Sequence, residues 1–427
     1  MTALPTFDTA PRTVSTDISA EQPSGLRAGQ SLTLQDGGVL GENFAAIDAT
    51  LNIEGGVVGN GLETAGSTVN ISGGTVGAFG GSFAAFDGSV VDISGGNVTS
   101  SIDANSGSVV NFSGGNAGGF NAFSGSEVNI SGGSLGGFNA FSGSDVELIG
   151  GEFAVNGAAF MGPLITLGDG DVFTGTLQDG SAFVFSPLRL DSLSGVTLTA
   201  AALPALNNTP QVVSTDISAG TSGLRAGQSL TLQDGGVLGG NFSAIGATLN
   251  IEGGVVDGLE TVGSEVNISG GTVDGFNAFN GSEVNISGGT VDDVFDAESG
   301  SMVNLMGTEF LLDGVLLDSL VAGEAFTIND RDVTLSGLLA DGTPFEFDLN
   351  STTNFFEDSF APDATLTVTL SGALLGDVNK DGVVDFLDIS PFISLLSTGE
   401  FQDEADIDSS GTVDFLDISP FIVLLSS

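Results

Sequence analysis

The chain is 427 residues long, and its 54 acidic and 6 basic residues give a formal net charge of −48. Such a surface repels phosphate backbones and anionic membranes, which excludes nucleic acid as a partner. The chain is also 41% hydrophobic, unlike a disordered acidic chain, so we expect it to fold. No apolar run reaches the ~18 residues of a membrane span, so we expect no such span.

The first stretch of the chain recurs in its middle. Residues 14–19 and 24–38 return nearly verbatim as residues 213–218 and 222–236. The copies also end alike, because Leu-Gln-Asp-Gly-Ser-Ala-Phe-Val-Phe at 177–185 matches Leu-Ala-Asp-Gly-Thr-Pro-Phe-Glu-Phe at 339–347. We therefore predict two homologous halves, residues 1–205 and 206–374, with a C-terminal domain at 375–427.

The beginning of the chain resembles the joint between these halves. Residues 3–5 and 9–11 align, at the offset of the large repeat, with residues 202–204 and 208–210. The missing upstream half would then come from a second molecule. Solenoids without capping repeats expose sheet edges, and a head-to-tail contact that does not close on itself gives a filament. This predicts head-to-tail self-association; simple gene duplication is the alternative.

Each half contains a shorter repeat of the form apolar, Asn or Asp, apolar, Ser, Gly, Gly. Complete copies begin at Val69, Val91, Val110, Val128, Val266 and Val284, and degenerate copies at Leu51, Val146, Leu249 and Val303. The step is mostly about 18 or 19 residues. The alternation predicts a strand with one buried face, and Gly-Gly predicts a corner too narrow for side chains. The uniform period argues against tandem hairpins or a β-sandwich.

A second short strand follows in each repeat, as in Phe-Asn-Ala-Phe at residues 120–123, 138–141 and 276–279. The predicted fold class is therefore all-β, a parallel β-solenoid whose coils stack at ~4.8 Å with Val, Ile and Phe inside. The outward row consists of Asn70, Asn111, Asn129, Asn267 and Asn285. We predict a ladder of hydrogen-bonded amides there, with a flat binding face for glycan, ice or mineral as the alternative.

The C-terminal residues contain one loop pattern twice, beginning at Asp377 and at Asp406. Oxygen-bearing side chains occupy positions 1, 3, 5, 9 and 12, Gly occupies position 6, and position 7 offers its carbonyl; this spacing predicts Ca²⁺ sites. The predicted ligands are Asp377, Asn379, Asp381, Val383, Asp385 and Asp388, then Asp406, Asp408, Ser410, Thr412, Asp414 and Asp417. Calcium also suits a chain with so few cations.

Each loop runs into Ile-Ser-Pro-Phe-Ile, at residues 389–393 and 418–422. We predict that Ser390 and Ser419 are helix N-caps and that the following Pro occupies the first turn. The apolar residues beyond them give each helix a face to bury against its twin.

Paired loop-helix units with Asp at position 12 resemble a type I dockerin, a small α-helical, EF-hand-like module. The resemblance covers residues 375–427 and implies calcium binding, an extracellular or cell-surface location, and binding to a cohesin through hydroxyl residues at positions 10 and 11. Those positions hold Phe386-Leu387 and Phe415-Leu416 here, which argues against an ordinary cellulosomal partner. We interpret these pairs as the core of the module itself.

An enzyme is not expected, although parallel β-helices often cleave acidic polysaccharides. Such sites need a base and a cation, and His, Cys and Tyr are absent. The cations are Arg12, Arg27, Arg189, Arg225, Arg331 and Lys380. Arg27 and Arg225 are duplicates, which suggests pairing with a neighbouring acid. Paired carboxylates suffice to hydrolyse a neutral glycan, but the absent Trp and Tyr are the residues on which sugar rings stack.

The sequence therefore favours an extracellular structural protein, a calcium-dependent β-solenoid subunit that self-associates head to tail into a filament or surface layer. The alternative is an adhesin or scaffold spacer that displays a dockerin for a cohesin-like partner or binds extracellular polysaccharide.

Overall fold

A computed structural model describes residues 9–19, 25–77, 81–189, 191–217, 223–352, 357–371, 375–379, 384–408 and 410–425. The described chain is mostly β structure, with two short α-helices near the C-terminus. No helix in these ranges has the length and apolar character needed to cross a membrane.

The strands of the first half are β1 (Arg12–Val14), β2 (Gly25–Leu26), β3 (Ser31–Leu34), β4 (Val39–Leu40), β5 (Ala45–Ile47), β6 (Thr50–Ile53), β7 (Val57–Val58), β8 (Glu63–Ala65), β9 (Thr68–Val76), β10 (Phe83–Ala85), β11 (Val90–Ala104), β12 (Val109–Ala122), β13 (Glu127–Leu135), β14 (Phe138–Ala140), β15 (Asp145–Val155), β16 (Ala158–Ala159), β17 (Leu164–Ile165), β18 (Phe173–Leu177), β19 (Ala182–Phe185), β20 (Ser192–Leu193) and β21 (Val196–Ala200). A 3₁₀ turn spans Pro187–Arg189.

The strands of the second half are β22 (Gln211–Val213), β23 (Gly223–Leu224), β24 (Ser229–Leu232), β25 (Val237–Leu238), β26 (Phe242–Ile245), β27 (Thr248–Ile251), β28 (Val255–Val262), β29 (Glu265–Ala278), β30 (Glu283–Ala297), β31 (Met302–Leu312), β32 (Val315–Leu316), β33 (Ala325–Ile328), β34 (Thr334–Leu339), β35 (Pro344–Asp348), β36 (Ser359–Phe360) and β37 (Thr365–Leu370). The C-terminal module has helices α1 (Ile389–Thr398) and α2 (Ile418–Leu424), with a 3₁₀ turn at Asp403–Ala405 between them.

The first coils of each half contain three short strands, one more than the sequence predicted, and in later coils these run together into one long strand such as β11 or β30. Strands β3, β4 and β5 form one coil, and each pairs in parallel with its counterpart β6, β7 or β8 in the next. Three parallel sheets therefore run along each half. The middle strand escaped prediction because it has two residues, of which one is buried, as in Val39–Leu40. Two residues are too few to show an alternating pattern.

The core consists of ladders of identical or similar apolar residues. Alternation along β6 buries Leu51 and Ile53 completely, and their counterparts Val69 and Ile71 in the next coil lie directly against them. Each half has its own continuous apolar cluster. The predicted all-β parallel solenoid is confirmed.

The Gly-Gly pairs form corners, as the repeat predicted. Gly74 has a left-handed φ of 76°, which L side chains rarely adopt. A Cβ atom at Gly74 would lie 2.7 Å from the carbonyl of Gly55 in the neighbouring coil, and one at Gly73 would lie 2.5 Å from the carbonyl oxygen of Glu54. Both positions therefore exclude any side chain, because coils at sheet spacing leave no room for one.

The outward Asn residues form the predicted ladder. Amide Nδ2 of Asn129 donates to Oδ1 of Asn111 at 2.9 Å, and Asn285 donates to Asn267 at 2.9 Å. The row continues at Asn304, which donates to Asn285 at 2.8 Å. These bonds join residues 18 or 19 positions apart, one coil in each step. The amides satisfy one another along the solenoid, which stiffens it.

Each half ends in an antiparallel hairpin, which the sequence analysis did not assign. β18 pairs with both β19 and β15, and β34 likewise pairs with both β35 and β31. A last parallel strand, β21 or β37, then stacks on β15 or β31. The matching phrases at residues 177–185 and 339–347 are thus equivalent hairpins at the ends of equivalent solenoids.

The first half joins the second through this hairpin. Strand β19 contacts β23, β26 and β28 of the second half, and Val172, Val184, Val262 and Phe279 form one buried apolar cluster across the joint. The guanidinium of Arg225 donates Nη2 to Glu152 Oε1 at 2.9 Å and Nε to Oε2 at 3.2 Å. The pairing of Arg225 with an acid, suggested by its repeated phrase, is confirmed.

Acid is expected to loosen this joint. Hydrogen bonding to Arg225 is the main cause that lowers the pKa of Glu152 below its ordinary 4.5, and burial opposes it. Because the folded pKa is lowered, the stability from this pair is present above the ordinary value and is lost as the pH falls through the folded pKa. We expect wild type to lose more melting temperature than Glu152→Gln between about pH 7 and pH 3, measured by calorimetry. Equal losses would contradict a stabilising ion pair.

Candidate metal centre

The two helices of the C-terminal module begin directly after position 12 of each loop. Their N-cap residues are Asp388 and Asp417, whose φ and ψ are already helical and whose side chains make no capping hydrogen bond. The predicted Ser390 and Ser419 caps are therefore wrong, because each helix begins two residues earlier. The Pro residues still lie in the first turn, where a backbone N–H has no helical partner.

The position-12 carboxylates face back into their loops and are buried. Asp388 and Asp417 are both 0% exposed. Oδ1 of Asp388 accepts from the N–H of Asn379 at 2.9 Å, and Oδ2 accepts from Asp385 at 2.8 Å. Asp417 repeats this with Asp408 at 3.1 Å and Asp414 at 2.8 Å. Each carboxylate thus ties positions 3 and 9 of its loop together.

The second loop brings its acids close enough to share a cation. Carboxylate oxygens of Asp406, Asp408 and Asp417 lie within 4.8 Å of one another, and Asp406 and Asp417 are buried. Asp406 also accepts from the N–H groups of Ser410 at 2.8 Å and Gly411 at 2.7 Å. Three clustered negative charges repel one another unless a cation lies between them, and hard oxygen ligands suit calcium.

The other predicted ligands are placed less completely. Asp377 of the first loop is buried, 5% exposed, and Asp385 accepts from the N–H of Leu387 at 2.7 Å. Asp381 and Val383 lie outside the described residues. In the second loop the hydroxyl of Ser410, at position 5, donates to the carbonyl of Thr412, at position 7, at 3.2 Å.

The two helices pack face to face. The rings of Phe392 and Phe421 are stacked with centroids 4.2 Å apart and an interplanar angle of 25°. Around them Val378, Ala405 and Val413 complete a small buried cluster. The predicted apolar face shared by the twin helices is therefore confirmed, and it rests on one Phe from each unit.

The apolar pairs at positions 10 and 11 are not the core of the module, and that interpretation of the sequence is wrong. Phe386 and Leu387 are 76% and 65% exposed, and Phe415 and Leu416 are 81% and 67% exposed. The backbone N–H of each Leu is held by the position-9 carboxylate, in a turn that leaves both side chains outside. Sequence reasoning missed this because apolarity alone does not say which of two Phe residues in a unit is buried.

The chain was compared with protein families, curated proteins and solved structures. Residues 375–425 match the family model described as the Dockerin type I domain. No curated protein and no solved structure matches the chain. Type I dockerin domains bind calcium, dockerins bind cohesins, and proteins that bear them are typically extracellular or on the cell surface. The C-terminal module of this β-solenoid protein is a dockerin type I domain.

Proposed function

We propose that this chain is an extracellular structural protein, a stiff β-solenoid that uses its calcium-bound dockerin to attach to a cohesin-like partner. The observation that carries this is the exposure of the same two apolar side chains in both units, Phe386-Leu387 and Phe415-Leu416. The domain has its own separate core. Exposed apolar side chains in a folded module mark a surface that another protein covers.

Calcium supplies the positive charge that allows each loop to hold its carboxylates together. In the second loop, Asp406, Asp408 and Asp417 would bind it through carboxylate oxygens. Asp414 at position 9 and the carbonyl of Thr412 at position 7 are the further ligands that the loop spacing predicts. In the first loop, Asp377, Asn379, Asp385 and Asp388 occupy the equivalent positions. The loops then fix the turns at positions 10 and 11, so calcium and partner binding are coupled.

The partner's docking face should be apolar. Hydroxyl residues at positions 10 and 11 would recognise polar groups, whereas Phe and Leu gain free energy by leaving water. We therefore propose a cohesin-like domain with an apolar docking surface.

We propose that the protein is not an enzyme. Two of its few cations are occupied by the fold. Arg225 pairs with Glu152 at the joint, and Arg331 donates to the carbonyl oxygens of Phe360 at 3.0 Å and Ala364 at 2.7 Å. A cation engaged this way is not free to stabilise charge on a substrate.

A second proposed function is head-to-tail self-association of the rods. The joint between the halves supports it, because this joint is already a contact between the end of one solenoid and the beginning of another.

Replacing the exposed pairs is expected to abolish partner binding without unfolding the domain. The quadruple Ser variant of Phe386, Leu387, Phe415 and Leu416 should lose at least about a hundredfold in affinity for an apolar-faced cohesin, since each buried side chain contributes ~1.5–3 kcal/mol. Calorimetric titration against a panel of cohesin domains, with and without calcium, measures this. A matched control is Val315→Ser with Leu316→Ser, an exposed apolar pair on the solenoid. Wild-type affinity in the quadruple variant would exclude these pairs as the docking surface.

A further inference from the structure

We propose that the joint inside the molecule also forms between molecules: the terminal hairpin β34–β35 of one copy packs on the first coils of the next, and Glu309 pairs with Arg27 of that next copy. This inference rests on the second proposed function, self-association. The proposed partner is a second copy of this chain. Each molecule has a second hairpin like the one in its internal joint and a second surface like the one on which that hairpin packs.

The terminal hairpin is held in the same pose as the internal one. Oδ2 of Asp179 accepts a hydrogen bond from the backbone N–H of Gly133 at 2.8 Å. Oδ2 of Asp341 accepts one from the backbone N–H of Gly289 at 2.9 Å. The two hairpins therefore sit at equivalent places on equivalent coils.

A second pair of aspartates repeats this equivalence. Asp191 accepts from the N–H of Phe138 at 2.7 Å and of Ser186 at 2.8 Å. Asp358 accepts from Phe295 at 2.8 Å and from Asp348 at 3.1 Å. Each aspartate thus links the end of its hairpin to the third strand of a coil, which holds β34–β35 on its coil as β18–β19 is held.

The surface on which the internal hairpin packs, the receiving face, is also present in both halves. It is buried in the second half and exposed in the first. In the second half, Phe279 is fully buried against the internal hairpin. Its counterpart in the first half is Phe86, the last residue of Phe-Ala-Ala-Phe, which is 39% exposed. Ile245 packs on the same cluster, and its counterpart Ile47 is 53% exposed. The first half thus presents to solvent the apolar residues that the second half covers.

The charged pair has counterparts on the same two faces. The loop around Arg27 matches that around Arg225, because in each the Arg N–H donates to a Gln Oε1 three residues on, at 2.8 Å. Arg225 is 8% exposed, whereas Arg27 is exposed.

Glu309 is the counterpart of Glu152 in the repeated Glu-Phe of β15 and β31. Thr176 donates its hydroxyl to Glu152 at 2.9 Å, and Glu309 lies opposite Leu338, the counterpart of Thr176. Glu309 is exposed, in the strand that pairs with the terminal hairpin. One local difference is that Glu152 has a φ of 56°, which does not recur at Glu309. The bulge lies between Gly151 and Ala154 in β15 and between Gly307 and Glu309 in β31.

The contact between molecules should be weaker than the internal joint. Val184 of the internal hairpin corresponds to the exposed Glu346, and Val262 of the receiving face corresponds to Ala65. The longer side chain of Glu346 would thus meet the smaller side chain of Ala65. Compared with the two Val residues of the internal joint, this pair buries less apolar area and adds a negative charge. Two chains of this net charge also repel each other, so we expect association to strengthen with salt or calcium and to remain reversible.

Charge reversal across the proposed contact tests it. In sedimentation velocity and electron microscopy of the full chain with calcium, Arg27→Glu and Glu309→Arg should each weaken end-to-end association at least about tenfold, since each places like charges together. An equimolar mixture of the two variants should recover alternating filaments, and the double variant should recover its own. Glu127→Arg, on the side of the rod, makes the same charge change and should associate as wild type does.

The outcomes separate the two claims. Wild type that stays monomeric at every concentration would overturn self-association and this interface with it. Filaments that form but ignore both reversals would overturn the interface and leave self-association standing. Circular dichroism of each variant shows whether it is folded, and recovery in the mixture excludes misfolding as the cause of a loss.

Discussion

Removal of calcium is expected to unfold the dockerin domain while the solenoid stays folded. Helices α1 and α2 have ten and seven residues, which is below the ~12–15 at which isolated helices are even marginal in water. Their loops hold clustered carboxylates, three of which in the second loop approach within 4.8 Å. Without a cation, the repulsion between these charges opposes the loop geometry in which the helices pack together.

The effect should be large because bound calcium stabilises the folded state alone. At a thousandfold excess over the dissociation constant, a single site contributes about 4.1 kcal/mol, which is most of the stability of a small domain. Circular dichroism at 222 nm during chelator titration reports the helices, and calorimetry should show the larger solenoid transition unchanged. Asp417→Asn should mimic chelation at low calcium, whereas Asp145→Asn on the solenoid should not. Helices that persist in chelator would contradict metal-dependent folding.

The solenoid was predictable from the sequence because every coil repeats the same pattern of buried and exposed residues. A buried alternating pair such as Leu51 and Ile53, followed by Gly-Gly, has few other structures open to it. The loops were predictable for a similar reason, since calcium dictates the spacing of its ligands.

The features that sequence did not reveal depend on long-range packing. The hairpin β18–β19 has its counterpart in β34–β35, yet Val184 is buried and its counterpart Glu346 is exposed. Among the described residues, a second solenoid half covers the first hairpin and none covers the second. Phe415 and Phe421 are likewise the same residue type in one unit. Which of them enters the core is decided by the packing of two helices that lie far apart in sequence.

Replacement of Phe421 by Ala is expected to destabilise the dockerin severely, and replacement of Phe415 by Ala hardly at all. Phe421 is 3% exposed and stacks on Phe392 with 4.2 Å between ring centroids. Truncating a buried Phe costs ~3–5 kcal/mol, and this core has few other residues to collapse into the cavity. Phe415 is 81% exposed, so its loss should change the free energy of unfolding by no more than about 0.5 kcal/mol.

The matched pair also decides what the residues at positions 10 and 11 are for. Thermal unfolding followed at 222 nm in saturating calcium gives the two stabilities, and binding to a cohesin gives the two affinities. If Phe415 belongs to a docking surface, Phe415→Ala keeps its stability and loses affinity. If instead Phe415→Ala unfolds the domain as Phe421→Ala does, the pair is part of the core and the docking proposal fails. Because water surrounds the Phe415 side chain in the free domain, its removal should not lower the stability of the domain. A loss of affinity without a loss of stability would therefore show that Phe415 contacts a partner outside the chain.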